Sequence, residues 1–298
     1  STQESSSAAS DVYKRQLRVV GTFFRTGAVD QVLKITKVSK LIKFGILFMG
    51  KPLIVFGIKG PYKKSPIVRA LIALGPAYIK FGQLLSTRPD IVGADLANEL
   101  KVLQDSLDPF PTAEAKKIVK AELGTPVESI FSSFSDPVAA ASIAQVHKAT
   151  VKETNELVAV KILRPKVEKV FLKDLAALLF LAKFIEFIIP SFRRLKPTEV
   201  INHFERLVRE ELDLRMEISA AAEFAENTKS DRNFYVPKVM WSLSGKRVIT
   251  TEWVDGISVG DIEKIKNSGV DIGHFAKRII KTFLTQALRD GFFHGDMH

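Results

Sequence analysis

The stretch AQVHKATVKETNELVAVKIL, residues 144–163, constrains this chain more than any other. Two β-prone runs, QVHKATV and LVAVKIL, flank the polar KETNE, which is the pattern of strand, turn and strand. In the second run the strand period puts Ala159, Lys161 and Leu163 on one face and Val158, Val160 and Ile162 on the other. A lysine set in an apolar strand is costly to bury and needs an acidic partner or an anionic ligand. The alternative is an edge-strand lysine that snorkels to water.

Helical patterns surround this β region, so the expected fold class is α+β. Residues 71–125 alternate apolar helical spacing with Pro76, Pro89, Pro109 and Pro111, which predicts several short helices ending at Gly124. Residues 168–229 return to long helical periodicity, broken near Pro190 and Pro197. VPKVMW and KRVITTEWV read as two further strands, and residues 261–290 as helix. At 298 residues and 46% hydrophobic, the chain is long and apolar enough for two cores or one large one. No cysteine occurs, so disulfides and thiolate metal sites are excluded.

The formal charge of +11 is unevenly spread: residues 1–70 hold 13 Lys or Arg against 3 Asp or Glu, so the remaining residues are close to neutral. Lys34, Lys37, Lys40 and Lys43 recur every third position while Val38, Leu41, Ile42 and Ile46 keep helical spacing. That pattern predicts a basic amphipathic helix suited to an anionic membrane surface, or else a solvated face packed on its own domain. Nucleic acid is disfavoured, because the segment has few Arg and no Tyr or Trp among the cations at 34–43. The apolar runs 41–58 and 175–190 contain charges and Pro52, so both read as buried or interfacial helices rather than membrane spans. The polar leader STQESSSAASDVYKRQ is not a signal peptide; it reads as a linker or adapter remnant at residues 1–16 and is set aside from the fold.

Four further stretches carry possible chemistry. In PVAAASIAQVHKA, aligning Val146 with the final valine of a kinase phosphate loop puts Ala139, Ala141 and Ala144 where three glycines would stand. Alanine still allows close backbone approach but makes positive φ costly, so the loop is expected to be stiffer; a plain small-residue turn is the other reading. EELDLRMEISAAAEF reads as an acidic helix on which Glu217, or failing that Glu211, could meet Lys161; Asp213 shares a face with Glu217. An acidic surface helix is the alternative. PAYIKFGQLLSTRPD sets Lys80 and Gln83 on one helical face beside Phe81 and Leu84, an inward polar pair seeking acids, or simply a surface helix. GFFHGDMH, residues 291–298, has the look of a catalytic loop opening; the rival reading takes His294, Asp296 and His298 as a metal triad.

Taken in order, IKFGQLLSTRPD, AAASIAQVHKA, VAVKILRP, ELDLRMEISAAAEF, TEWVDGIS and HGDMH resemble the UbiB family of atypical protein-kinase-like proteins, also called the ADCK or Coq kinase-like family. The resemblance covers roughly residues 65–298. It implies a protein-kinase-like fold with a small β-rich N-lobe, a helical K-x-G-Q extension and most of the C-lobe missing, the chain stopping inside its catalytic loop. One departure is Ala144, where the family usually keeps Gly.

The resemblance also implies roles. Asp296 would orient or deprotonate a nucleophile, with His294, Gly295 and His298 completing the matched part of the loop, and Lys161 would hold ATP phosphates with Glu217 as its partner. The loop Ala139, Ala140, Ala141, Ser142, Ile143, Ala144 with Val146 and Ala159 would line the nucleotide, and backbone at Glu252–Val254 would face adenine. Lys80, Gly82 and Gln83 would belong to the extension covering the substrate site, facing Glu211 and Asp213. Mg²⁺ ligands are expected beyond residue 298, and none within the chain. The implied activity is that of an ATPase or small-molecule kinase supporting ubiquinone biosynthesis, with pathway enzymes or lipid precursors as partners, on the cytoplasmic face of a bacterial inner membrane. A nucleotide-responsive scaffold without turnover, or a basic membrane-surface module, are the alternatives. The expected domains are a basic helical segment at 17–70, the K-x-G-Q extension at 71–125, an N-lobe at 126–255 with a helical insertion at about 168–229, and the start of a C-lobe at 256–298.

Overall fold

The computed structural model describes residues 2–35, 39–103, 108–231 and 234–293. In chain order its elements are α1 (Thr2–Thr26), α2 (Ala28–Ile35), α3 (Lys40–Gly50), a 3-10 turn (Lys51–Phe56), α4 (Pro66–Leu74), α5 (Pro76–Ser86), α6 (Pro89–Val92), α7 (Ala94–Leu100), α8 (Thr112–Leu123) and α9 (Val127–Ile130). There follow β1 (Phe131–Ala140), β2 (Ala144–Val151), β3 (Leu157–Leu163), α10 (Val167–Ile188), a 3-10 turn (Pro190–Leu195), α11 (Pro197–Glu211), α12 (Leu214–Asn227), β4 (Val248–Glu252), α13 (Ile262–Asn267) and α14 (Ile272–Thr285). The chain divides into two compact units: Ser1–Pro109 with Ala140–Ala144 and Arg164–Leu212, and Phe110–Ala139 with Gln145–Leu163 and Asp213–His298.

The first unit is helical. Proline stands in the first turn of α4, α5, α6 and α11, where its missing N–H leaves no bond unmade. Its core joins Val19, Val68, Leu71, Tyr78, Leu100, Phe171 and Phe204, all fully or nearly fully buried. The basic segment is not one helix: Ser39 leaves the helical region and accepts a hydrogen bond from Ile42 N, so α3 starts afresh there. Lys34 and Lys43 both pair with Asp30, whereas Lys37 and Val38 lie outside the described residues. Tyr13–Gln16, set aside with the polar leader, are continuous with α1, and Arg15 reaches Asp174 at 2.6 Å. Among the described residues no helix is long and apolar enough to cross a membrane.

The second unit is built on a four-stranded sheet of order β1-β2-β3-β4. In β3 the predicted apolar face, Val158, Val160 and Ile162, is wholly buried against Ile118 and Val119 of α8 and Val248 of β4. Antiparallel register pairs Lys161 with Ile249 and Ala159 with Thr251. The α8 helix ends on Gly124 in a left-handed conformation (φ 73°), as its position after the last periodic residue required. VPKVMW differs from expectation: it forms only an isolated bridge from Val239 to Thr251, then a 3-10 turn at Trp241–Leu243. Pro237, with no N–H to donate, cannot sustain a ladder there. The helix expected at 261–290 is broken at Gly269 (φ 79°) into α13 and α14.

Candidate functional site

In the second unit, Lys161 projects from the sheet face opposite the buried valines and meets Glu217, its Nζ lying 2.9 and 2.7 Å from the two carboxylate oxygens. About a third of the Lys161 side chain and half of the Glu217 side chain remain exposed, so the pair borders solvent and is open to a ligand. Glu217 is placed there by the start of α12. Asp213 caps that helix by accepting from Arg215 N at 3.1 Å, and Leu214 N donates to Lys246 O at 3.0 Å, tying the first turn to the loop before β4. The expectation of one continuous acidic helix is therefore corrected: α11 ends at Glu211, and Asp213 begins α12 as a cap whose carboxyl is held below the usual carboxylate range by the Arg215 guanidinium.

Val146 of β2 and Ala159 of β3 are half-buried, in contrast to their fully covered neighbours Gln145, His147, Val158 and Val160. They are small or compact residues on the open face that carries Lys161. At the end of β4, Glu252 is occupied: its carboxylate accepts from the Tyr235 hydroxyl, which holds it below the usual carboxylate range, and from Lys238 N, while its own N–H donates to Lys238 O at 2.8 Å. Trp253 N donates to Leu157 O at 3.0 Å, carrying the β3–β4 pairing one residue past Glu252. Lys148 stands 4.6 Å over the Trp253 ring, and Val254 beyond it is half-exposed. Ala139 is exposed at the end of β1.

The first unit carries its own polar points. Lys80 of α5 pairs with Glu211 of α11 at 2.5 Å, and Gln83, one turn on, donates to Leu103 O at 3.2 Å. Gly82 between them is buried, and a side chain there would overlap the ends of Leu71 and Leu103. The alanine-rich turn belongs to this unit as Ala140–Ala144. It holds negative φ throughout, and Ala141 N donates to Ala144 O at 2.8 Å. Arg164 clamps it: its side chain donates twice to Ala141 O, at 3.1 and 2.9 Å, and its N–H donates to Ile143 O. Ser142 and Ile143 are buried, so the turn is anchored rather than free. Sequence reading did not single out Arg164, although its place directly after the lysine strand was visible.

His294, Asp296 and His298, both as catalytic-loop residues and as the rival metal triad, lie outside the described residues. Among the described residues no group of three His, Asp or Glu is placed to hold a metal ion.

A small sheet that offers a strand lysine to a helix glutamate defines a kinase-like N-lobe, in an α+β protein. The chain belongs to the ABC1 atypical kinase-like family, whose domain matches residues 102–298. It is 40% identical over 249 residues to a protein of Aliivibrio fischeri (strain MJ11) called "Probable protein kinase UbiB", covering 82% of this chain and 46% of that one. Proteins of the same name from Marinobacter nauticus (36% over 286 residues; 96% of this chain, 52% of that one) and Pseudomonas paraeruginosa (42% over 230; 77% and 43%) are also similar. The chain spans about half the length of the curated relatives it matches.

Proposed function

We propose that this protein is an ATP-binding atypical kinase-like enzyme, an ATPase or small-molecule kinase, that supports ubiquinone biosynthesis at a bacterial membrane. The observation that carries the reading is the Lys161–Glu217 pair, a partly exposed ammonium held in place by a carboxylate on a neighbouring element. A lysine so placed binds nucleotide phosphates, and the carboxylate keeps it aimed. Val146 and Ala159 leave the open face clear for a ring, and the strand end at Glu252–Val254 would meet the adenine. Asp296 would orient or deprotonate the acceptor. Mg²⁺ would neutralise phosphate charge when bound, and among the described residues no group of three acids or histidines is placed to hold it.

Membrane association rests on residues 39–65, which contain six lysines and no acid, and whose Phe44, Phe48, Met49 and Val55 are all more than half exposed. Anionic lipid would be met by the lysines and its acyl boundary by the aromatics. Equilibrium binding of a fluorescent ATP analogue tests the nucleotide reading. Saturable binding that Lys161→Ala weakens at least about tenfold is expected from the loss of a charge-assisted contact. Equal affinity in the variant would overturn it.

A further inference from the structure

The helical unit contains an apolar cavity of about 780 Å³ that the nucleotide reading does not use. Its walls come from α1, α4, α5, α6, α10 and α11, through side chains such as Phe23, Ile67, Phe81, Leu178, Ile185 and Ile201. Protein interiors are close-packed, and an apolar void of only about 150 Å³ already takes up apolar guests. A space of this size falls within the roughly 300–1,000 Å³ typical of ligand pockets.

One side chain in the lining is charged, Arg194 of the 3-10 turn Pro190–Leu195. The same arginine also lines a second, more polar cavity of about 340 Å³, which shares Leu85, Ile91, Leu195 and Val200 with the first. Arg194 therefore stands where apolar space gives way to polar space. The other cations of the polar cavity are committed: Arg88 to Asp90 at 2.7 Å, and Lys196 to Glu199 at 2.9 Å. Among the described residues no carboxylate pairs with Arg194. The guest these walls fit has one apolar chain and one anionic head. A single uncommitted guanidinium matches the two oxygens of a carboxylate, whereas a diphosphate head would need further free cations.

We propose that this cavity binds a long-chain carboxylate, with its chain between α5, α10 and α11 and its head on Arg194. The site is separate from Lys161 and its partners, so it stands or falls independently of nucleotide binding. The test is titration of the nucleotide-free protein with the fluorescent long-chain carboxylate cis-parinarate, followed by displacement with oleate and with methyl oleate. Saturable parinarate binding is expected, with oleate displacing it at least about tenfold more strongly than the uncharged ester. Arg194→Gln should erase that difference by weakening oleate alone, and Ala182→Phe should abolish binding of both by filling the space. If Ala182→Phe fails to fold, as judged by circular dichroism, the Arg194→Gln comparison decides. Non-saturable binding, equal displacement by acid and ester, or undiminished oleate binding by Arg194→Gln would each overturn the proposal.

Discussion

Lys161 and Glu217, 56 positions apart in the chain, meet through two hydrogen bonds of 2.9 and 2.7 Å while both side chains stay partly in water. A pair this exposed contributes no more than about 1 kcal/mol to stability, because water screens it and two long side chains must be ordered. Lys161→Ala and Glu217→Ala should therefore leave the urea unfolding free energy within about 1 kcal/mol of wild type while each weakens nucleotide binding about tenfold or more. Measuring both quantities on the same preparations separates the roles. Variants that unfold and lose nucleotide together would make the pair structural.

Asp213 acts on that pair through the helix it caps. Its carboxylate satisfies Arg215 N, and the turn it starts carries Glu217. Asp213→Ala should cost about 1 kcal/mol in urea unfolding, and Asp213→Asn or Asp213→Ser much less, since both keep an acceptor. Nucleotide affinity should fall in the same order. An alanine variant as stable as wild type would show that Leu214 N, bonded to Lys246 O, suffices to start the helix.

How much of this was legible depends on the range of the forces involved. The two faces of β3 were readable because period two follows from the backbone alone, and the stop at Gly124 because a left-handed cap asks for glycine. The break between Glu211 and Asp213 was not. EELDLRME keeps helical spacing across it, and what interrupts it is a bond to Lys246, more than thirty residues away. The sequence ranked Glu217 ahead of Glu211 as partner of Lys161 without showing that they lie on different helices: Glu211 ends one and holds Lys80, while Glu217 lies in the first turn of the next. Gln145 and His147 were hidden for a related reason, since strand alternation marks them as inward but says nothing of the polar groups waiting there.

His147 illustrates the consequence. The ring is fully buried, with Nδ1 2.8 Å from Ser135 O and Nε2 2.9 Å from Gln145 Nε2. Gln145 is fixed by two bonds to the Phe110 backbone, so its Nε2 donates and the imidazole must accept there, protonated on Nδ1 alone. Burial holds the imidazole below its ordinary pKa, outweighing the Ser135 carbonyl and the charge of Asp136, which raise it. The unfolded chain then takes up a proton that the folded one refuses. Stability should fall as pH drops below about 6.5, by up to about 1.4 kcal/mol per unit. Urea midpoints between pH 7.5 and 5.5, values chosen about one unit either side of the ordinary histidine pKa, should decline steeply in wild type and less so in His147→Phe. Equal slopes would assign the effect elsewhere.

Two glycines mark a backbone crossing between α1 and the 3-10 turn that follows α3. A methyl group on Gly21 would overlap Leu53 O, and one on Gly57 would overlap the Gly21 carbonyl. Neither neighbour is a flexible side-chain end, so Gly21→Ala and Gly57→Ala should each destabilise by about 1–3 kcal/mol. Gly45, within α3 and with nothing nearby, should respond oppositely, Gly45→Ala adding about 0.5–1 kcal/mol. Thermal unfolding of the three variants checks the contrast, and a neutral Gly57→Ala would mean that the two segments part readily.

The segment that contains that crossing also sets a test of membrane docking. Lys40, Lys43, Lys51, Lys59, Lys63 and Lys64 sit among Leu41, Phe44, Phe48 and Met49, which are 64–83% exposed, and Phe44 and Phe48 stack with centroids 6.1 Å apart. Lysine attraction to an anionic surface is worth about 1 kcal/mol per residue and is screened by salt, whereas insertion of aromatic rings is not. Cosedimentation with phosphatidylcholine vesicles should therefore be weak and gain strongly when phosphatidylserine is included, most of the gain vanishing at about 1 M salt, where the screening length is near 3 Å. Phe44→Ser with Phe48→Ser should remove the salt-resistant remainder and leave the salt-sensitive part. If the double variant binds as wild type does at both salt concentrations, the exposed rings do not insert, and the aromatic half of the membrane reading falls.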